Sequence, residues 1–226
     1  MKFRYLPALL FSTMLLSASS ASANPELYKA ILTGKQDEAI ALIKSGAPVE
    51  PQCAMPETCA PLLAAIEMGD QKIIKHLIAR GVNLNLPAGM DFLAFDIALQ
   101  RFYDAADNSK RERARKVVRR MVKAGVDINR FNGYGQSGFT QAAAKGDVEM
   151  VTLMLEHGAK LDAVAKGTSN MFAATPLMMA AEKGHKDMVK LLLAKGANKK
   201  LVDELHRTAA DYAKSAGHQD LVALLQ

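Results

Sequence analysis

The chain has 226 residues, half of them apolar and 23% charged, with a net charge of +6 and no tryptophan. That is ordinary for a soluble globular protein and leaves room for one large domain or two small ones. No segment beyond the N-terminus approaches the length of a membrane span, which excludes a protein built of several transmembrane helices.

The first residues are expected to lie outside the fold. Lys2 and Arg4 form a basic start, Leu9 to Leu16 an apolar run, and Ala21-Ser22-Ala23 a small-residue end. This order predicts a secretory signal peptide over residues 1–23, cut between Ala23 and Asn24. A retained anchor or a buried helix is the alternative, but the apolar run is short for a bilayer span and the small-residue cleavage pattern favours removal. No cysteine lies near the site, so a lipid anchor is not expected. Loss of Lys2 and Arg4 lowers the net charge to about +4. The mature protein is therefore expected to be exported, in the periplasm, and only mildly basic.

The repeats announce themselves next. Thr175 to Ala197, TPLMMAAEKGHKDMVKLLLAKGA, reads as two short helices. Thr175 caps the first and Pro176 takes its first position, where a missing N–H costs nothing. Gly184 supplies the left-handed turn between them. Met188, Val189, Leu191, Leu192 and Leu193 make a broad apolar face on the second helix, which ends at Gly196. Helices this short cannot bury that face alone.

In chain order the same spacing recurs. An alanine in the first helix returns as Ala30, Ala65, Ala98, Ala142, Ala180 and Ala213, and a glycine after the second as Gly46, Gly81, Gly125, Gly158 and Gly196. The underlying period is 33 residues, with repeats at about 24–47, 48–82, 83–126, 127–159, 160–197 and 198–226. The first lacks Thr-Pro and carries Lys29, Lys35, Gln36 and Glu38, as a cap facing water would. The second keeps Pro61 and Gly69, and two extra residues lie in the loop before it. That loop holds Cys53 and Cys59, which in an oxidising compartment are most simply a structural disulfide; free thiols or a redox role remain open.

The third repeat contains eleven extra residues around Phe102 to Arg113, which either lengthen its two helices or form a protruding loop. Lys110, Arg111, Arg113, Arg115, Lys116, Arg119, Arg120 and Lys123 follow, against a single Glu112. This run is either a solvated face or a docking site for an acidic partner, with Arg115, Arg119 and Arg120 as the contacts. The fourth repeat is regular. Before the fifth come five extra residues, in a stretch with Met171 and Phe172. The sixth stops three residues short of its expected glycine, as a C-terminal cap would.

TPLMMAAEKGH, DMVKLLLAKGA, TAADYAKSAGH and SGFTQAAAKGD resemble ankyrin repeats, and the resemblance covers residues 24–226. It implies an all-α solenoid of about six stacked helix–loop–helix units with finger loops on one side and degenerate terminal caps. It also implies a binding protein, a monomer when free, that works without catalysis, metal or cofactor. Its partner is then a protein; nucleic acid, which the charge alone would permit, is not expected for an exported chain.

The residues agree with that. His76, His157, His185, His206 and His218 show no metal-ligand spacing. His185 and His218 stand in Gly-His steps where the family places a structural residue. Asp70, Glu149 and Asp187 fall at starts of second helices, where they favour the helix dipole. No phosphate-cradling glycine loop is found. Binding candidates are Arg130, Phe131 and Tyr134 in one finger, Met171 and Phe172 in another, and Met90 and Phe92 in a third. Aromatic and arginine side chains at loop tips are hot-spot material, unless they fold back as local core. By analogy with exported bacterial members, the expected partner is a periplasmic enzyme or toxin that the protein inhibits or protects against. The alternatives are an accessory role with a periplasmic catalase in peroxide defence, or attachment to an anionic envelope surface through the basic helix.

Overall fold

The computed structural model describes residues 25–51, 60–89, 92–164 and 174–226. The cleavage site at Ala23 and Asn24, the two cysteines Cys53 and Cys59, and Met90, Met171 and Phe172 lie outside the described residues.

The helices come in pairs: α1 (Pro25–Leu32) with α2 (Gln36–Lys44), α3 (Pro61–Met68) with α4 (Gln71–Ala79), and α5 (Ala94–Tyr103) with α6 (Asn108–Lys123). Then follow α7 (Gly138–Ala144) with α8 (Val148–Glu156), α9 (Pro176–Glu182) with α10 (Lys186–Ala194), and α11 (Ala209–Ser215) with α12 (Gln219–Leu225). Among the described residues there is no strand, only single bridges at Pro87–Leu93 and Phe131–Ser137 in two loops.

Local chemistry sets where each helix begins. Thr175 Oγ1 accepts from the Met178 N–H at 3.1 Å, with Pro176 behind it as expected. Ser137 and Thr208 cap α7 and α11 in the same way. Aspartates take over at the second helices: Asp70, Asp107 and Asp147 accept backbone N–H groups at the starts of α4, α6 and α8. Each such cap is worth about 1 kcal/mol. Caps alone do not sustain helices of seven to nine residues in water, so most of the stability must come from packing.

That packing is between repeats. Each first helix lies against the next first helix, from α1 on α3 through to α9 on α11, and the second helices α2, α4, α6, α8 and α10 form a parallel layer behind them. The six recurring alanines are all buried. Met150, Val151 and Met154 on α8 and Met188, Val189 and Leu192 on α10 fill the space between the layers. The same side chains stay exposed if a repeat stands alone.

Polar groups fix the register. At the loop bases, the Asn83 N–H donates to Glu50, the Asp127 N–H to Asn85, the Lys160 N–H to Asn129 and the Asn198 N–H to Asp162, each one repeat along. At the opposite end His185 Nε2 donates to the Ala144 carbonyl at 3.0 Å and His218 Nε2 to the Glu182 carbonyl at 3.2 Å. Both Gly-His histidines are thus structural.

The eleven-residue insertion lengthens both helices: α5 has 10 residues and α6 has 16. Its end is not free. The Phe102 and Tyr103 rings lie 4.6 Å apart, with the Arg115 guanidinium 5.7 Å over Phe102 and Lys145 Nζ 5.7 Å over Tyr103. The extension therefore rests on the turn between α7 and α8. Burial, then the neighbouring Asp147 carboxylate, pushes the Tyr103 phenol far above its ordinary value, so it stays neutral.

Gly184 has φ +73°, and a Cβ there would meet the His218 ring at 2.5 Å; Gly196 has φ +94° with open space around it. Gly196→Ala is expected to cost about 1–2 kcal/mol from the left-handed backbone alone. Gly184→Ala should cost more, roughly 2–4 kcal/mol, because it also displaces the histidine hydrogen bond to the next repeat. Urea unfolding of the two variants measures the difference; equal losses would mean that the histidine contact contributes nothing.

Candidate functional site

Two loops project from the repeat junctions with the same internal design. In one, the buried Asn132 accepts the Tyr134 and Gln136 N–H groups at 3.0 and 3.1 Å. In the other, the buried Asp203 accepts the Leu205 and Arg207 N–H groups at 2.9 and 2.8 Å. The loops are 71 residues apart, two periods plus the five-residue insertion. The side-chain acceptor closes the turn, and in both loops the residue two positions on faces outward. Those residues are Tyr134 and Leu205, 49% and 56% exposed, the two most exposed large apolar side chains among the described residues. Gly135 and His206 follow them with φ +70° and +57°, the left-handed step that the tight turn requires.

The sequence-predicted finger residues divide accordingly. Tyr134 is displayed, and Phe92 from the preceding loop supports it with ring centroids 5.2 Å apart at 44°. Phe131 is half-buried beside its bridge to Ser137. Arg130 is exposed, but its Nη1 donates to the Asn85 carbonyl at 2.9 Å and ties two loops together. Leu205 escaped the reading of the sequence. The signal was its register: it stands three residues before a helix cap, as Tyr134 does. Met90 and Phe172 hold that same position in the sequence.

Behind the fingertips a cleft of about 480 Å³ is lined by Gln136, Met179, Glu182, Lys183, Arg207 and Tyr212. Its cationic wall is locked. Arg207 Nε and Nη2 donate to Asp203 at 2.8 and 2.7 Å, Tyr212 Oη donates to Asp203 at 2.8 Å, and the guanidinium lies 4.6 Å over the Tyr212 ring. Burial pushes the Asp203 carboxyl up, but the hydrogen bonds from Arg207, Tyr212 and Leu205 outweigh it and hold it below its ordinary value. Burial and the adjacent carboxylate raise Tyr212 to about 12. Asp203 therefore stays charged and Tyr212 neutral at neutral pH. No cluster of three or more metal-ligating side chains occurs among the described residues.

The three arginines singled out on α6 engage neighbouring repeats. Arg115 and Arg119 both hold Glu149 of α8, with Arg115 Nη2 at 2.5 Å. Arg120 Nη1 donates to the Gln71 carbonyl of α4 at 2.5 Å, and Gln71 Nε2 donates back to the Arg113 carbonyl at 2.7 Å. Glu149, expected only to favour a helix dipole, is thus the shared acceptor of an inter-repeat staple. No helix of the described residues is long and apolar enough to cross a membrane.

Stacked helix pairs with projecting apolar loop tips define a helical repeat scaffold of the kind that serves protein–protein interaction. Comparison with known proteins agrees. One model of ankyrin repeats in three copies matches residues 142–226, and another of many copies matches residues 111–166. The chain belongs to the ankyrin repeat family. It is similar to the crystal structure of the ankyrin repeat protein EF0377, at 25% identity and a TM-score of 0.70, over 91% of this chain and 98% of that one. It is also 28% identical over 106 residues to the phosphocholine transferase AnkX of Legionella pneumophila, a match spanning 47% of this chain and 10% of that protein.

One buried carboxylate offers a test of the inner face. Asp96 accepts from the Leu93 N–H at 2.8 Å and from Gln141, yet burial raises its carboxyl above the ordinary 3.8 despite these bonds. The folded state then binds the proton more tightly than the unfolded chain. Its contribution to stability is present below 3.8 and lost as pH rises through the folded value. Asp96→Asn is expected to raise Tm relative to the parent more at about pH 7 than at about pH 4, whatever constant offset the amide introduces. Thermal unfolding at both pH values reads the difference; an identical shift at both would refute the burial argument.

Proposed function

We propose that this ankyrin repeat protein is a non-catalytic binding protein of the bacterial periplasm, which engages an envelope enzyme or toxin and inhibits it or protects against it. The observation that supports this best is the repeated display of Tyr134 and Leu205 at equivalent fingertips, each held outward by a buried Asx turn. A loop that spends a buried polar side chain on exposing an apolar one is shaped for a partner rather than for its own stability. Periplasmic residence rests on the signal-like start at residues 1–23, and the inhibitory role on analogy with exported bacterial ankyrin proteins.

Affinity capture from periplasmic extract should recover one enzyme in a 1:1 complex whose activity falls on binding. The double variant Tyr134→Ala/Leu205→Ala should weaken that complex by roughly 30-fold or more and release the activity, as expected for hot-spot side chains. Isothermal titration and an activity assay read both effects. Capture unaffected by the double variant would place the interface elsewhere, and recovery of no periplasmic partner would overturn the reading.

A further inference from the structure

The outer layer of second helices is not uniformly charged. Helices α2, α8, α10 and α12 carry acids, among them Asp37, Glu149, Asp187 and Asp220. The adjacent pair α4 and α6 is different: two lysines on α4 and eight lysines and arginines on α6 face a single acid, Glu112. Lys110 pairs with its helix cap Asp107, and Arg111 is exposed on another side of α6 with no ion pair among the described residues; packing sorts the other eight cations into two groups. Arg115, Arg119 and Arg120 are held by Glu149 and the Gln71 carbonyl, and Glu112 is itself held by Arg115. Lys72 and Lys75 on α4 and Arg113, Lys116 and Lys123 on α6 are exposed, and none makes an ion pair among the described residues.

The positions of these five side chains are coherent. Arg113, Lys116 and Lys123 fall on one stripe of α6, at i, i+3 and i+10, the stripe that also carries Arg120 toward α4. Lys72 and Lys75 lie on the exposed side of the neighbouring helix, opposite the buried Ile73, Ile74 and Leu77. With helix axes about 10 Å apart and about 15 Å of rise from residue 113 to residue 123, the charges spread over a plane rather than along a line.

We infer that the exposed α4–α6 face is an electrostatic docking surface for an anionic phospholipid bilayer, separate from the fingertips. Three features favour a lipid surface over a protein or a nucleic acid. Four of the five free cations on this face are lysines, compact hydrated charges suited to diffuse attraction, while Arg115, Arg119 and Arg120 are consumed within the fold. No exposed large apolar side chain lies on either helix, so the apolar core and aromatic anchors of a protein interface are missing, and lysine is depleted from such interfaces. The two helices carry only one ring that could stack a base, the half-buried imidazole of His76. A charged bilayer needs none of these and responds to each cation near its surface.

The test is sedimentation of the full chain with vesicles of neutral phosphatidylcholine, and of phosphatidylcholine with about 30% phosphatidylglycerol, at about 50 and 300 mM salt. Binding should require the anionic lipid and fall at least tenfold at the higher salt. Changing Lys72, Lys75, Arg113, Lys116 and Lys123 together to Gln should lower partitioning at least ~100-fold, since each charge is worth about fivefold near an anionic surface. The apolar start of the chain is common to parent and variant, so their difference reports this face alone. A circular dichroism melt confirms that the exposed substitutions leave the fold intact. Equal binding to both vesicle types, or no loss in the quintuple variant, overturns the inference. So does binding of duplex DNA or polyglutamate under conditions where anionic vesicles are not bound.

Discussion

The structure depends on burial that is shared between neighbours. A helix pair such as α9–α10 has one capped, seven-residue helix and one nine-residue helix, too little to hold its shape in water. Its apolar side chains find cover only when α7 and α8 stand on one side and α11 on the other. Every repeat is then both stabilised by its neighbours and needed by them, so the chain gains stability as an array. The polar ladder along the loop bases, from Glu50 to Asp162, contributes less energy than the apolar contacts, but it permits only one register between repeats.

That constraint explains where the chain is free to vary. The spacing from recurring alanine to capping glycine is kept in every repeat but the third, and the extra residues go where stacking is not interrupted. The largest insertion extends α5 and α6 beyond the ends of their neighbours, and the extension is secured by aromatic and cationic packing on the α7–α8 turn. At the fingertips the same freedom produces Tyr134 and Leu205: the Asx turn beneath is fixed by Asn132 or Asp203, and the side chain above is left for a partner.

The basic helix shows how packing changes the meaning of a charge run. In sequence, Arg115, Arg119 and Arg120 read as contacts for a partner. In the fold, three arginines become staples to α4 and α8, because their length and forked donors reach a carboxylate or a carbonyl one repeat away. The shorter list that remains available to solvent joins with lysines from α4, forty residues earlier in the chain.

The sequence by itself determined the period, the caps and the helix pairs, because these depend on interactions within a few residues: Thr175 on the Met178 N–H, Pro176 at the first helical position, Gly184 in a left-handed turn. It also determined the roles of His185 and His218, since a Gly-His step leaves little else for the ring to do. Tertiary structure alone decided the insertion, because residues 102–113 read equally well as a loop or as helix, and only the contact of Phe102 and Tyr103 with Arg115 and Lys145 selects helix. It alone decided which arginines of the basic helix are consumed, Arg115, Arg119 and Arg120. Those outcomes turn on partners 30 to 50 residues away, such as Glu149 for Arg119 and Gln71 for Arg120, and a distance of that kind becomes a contact only after the repeats have stacked.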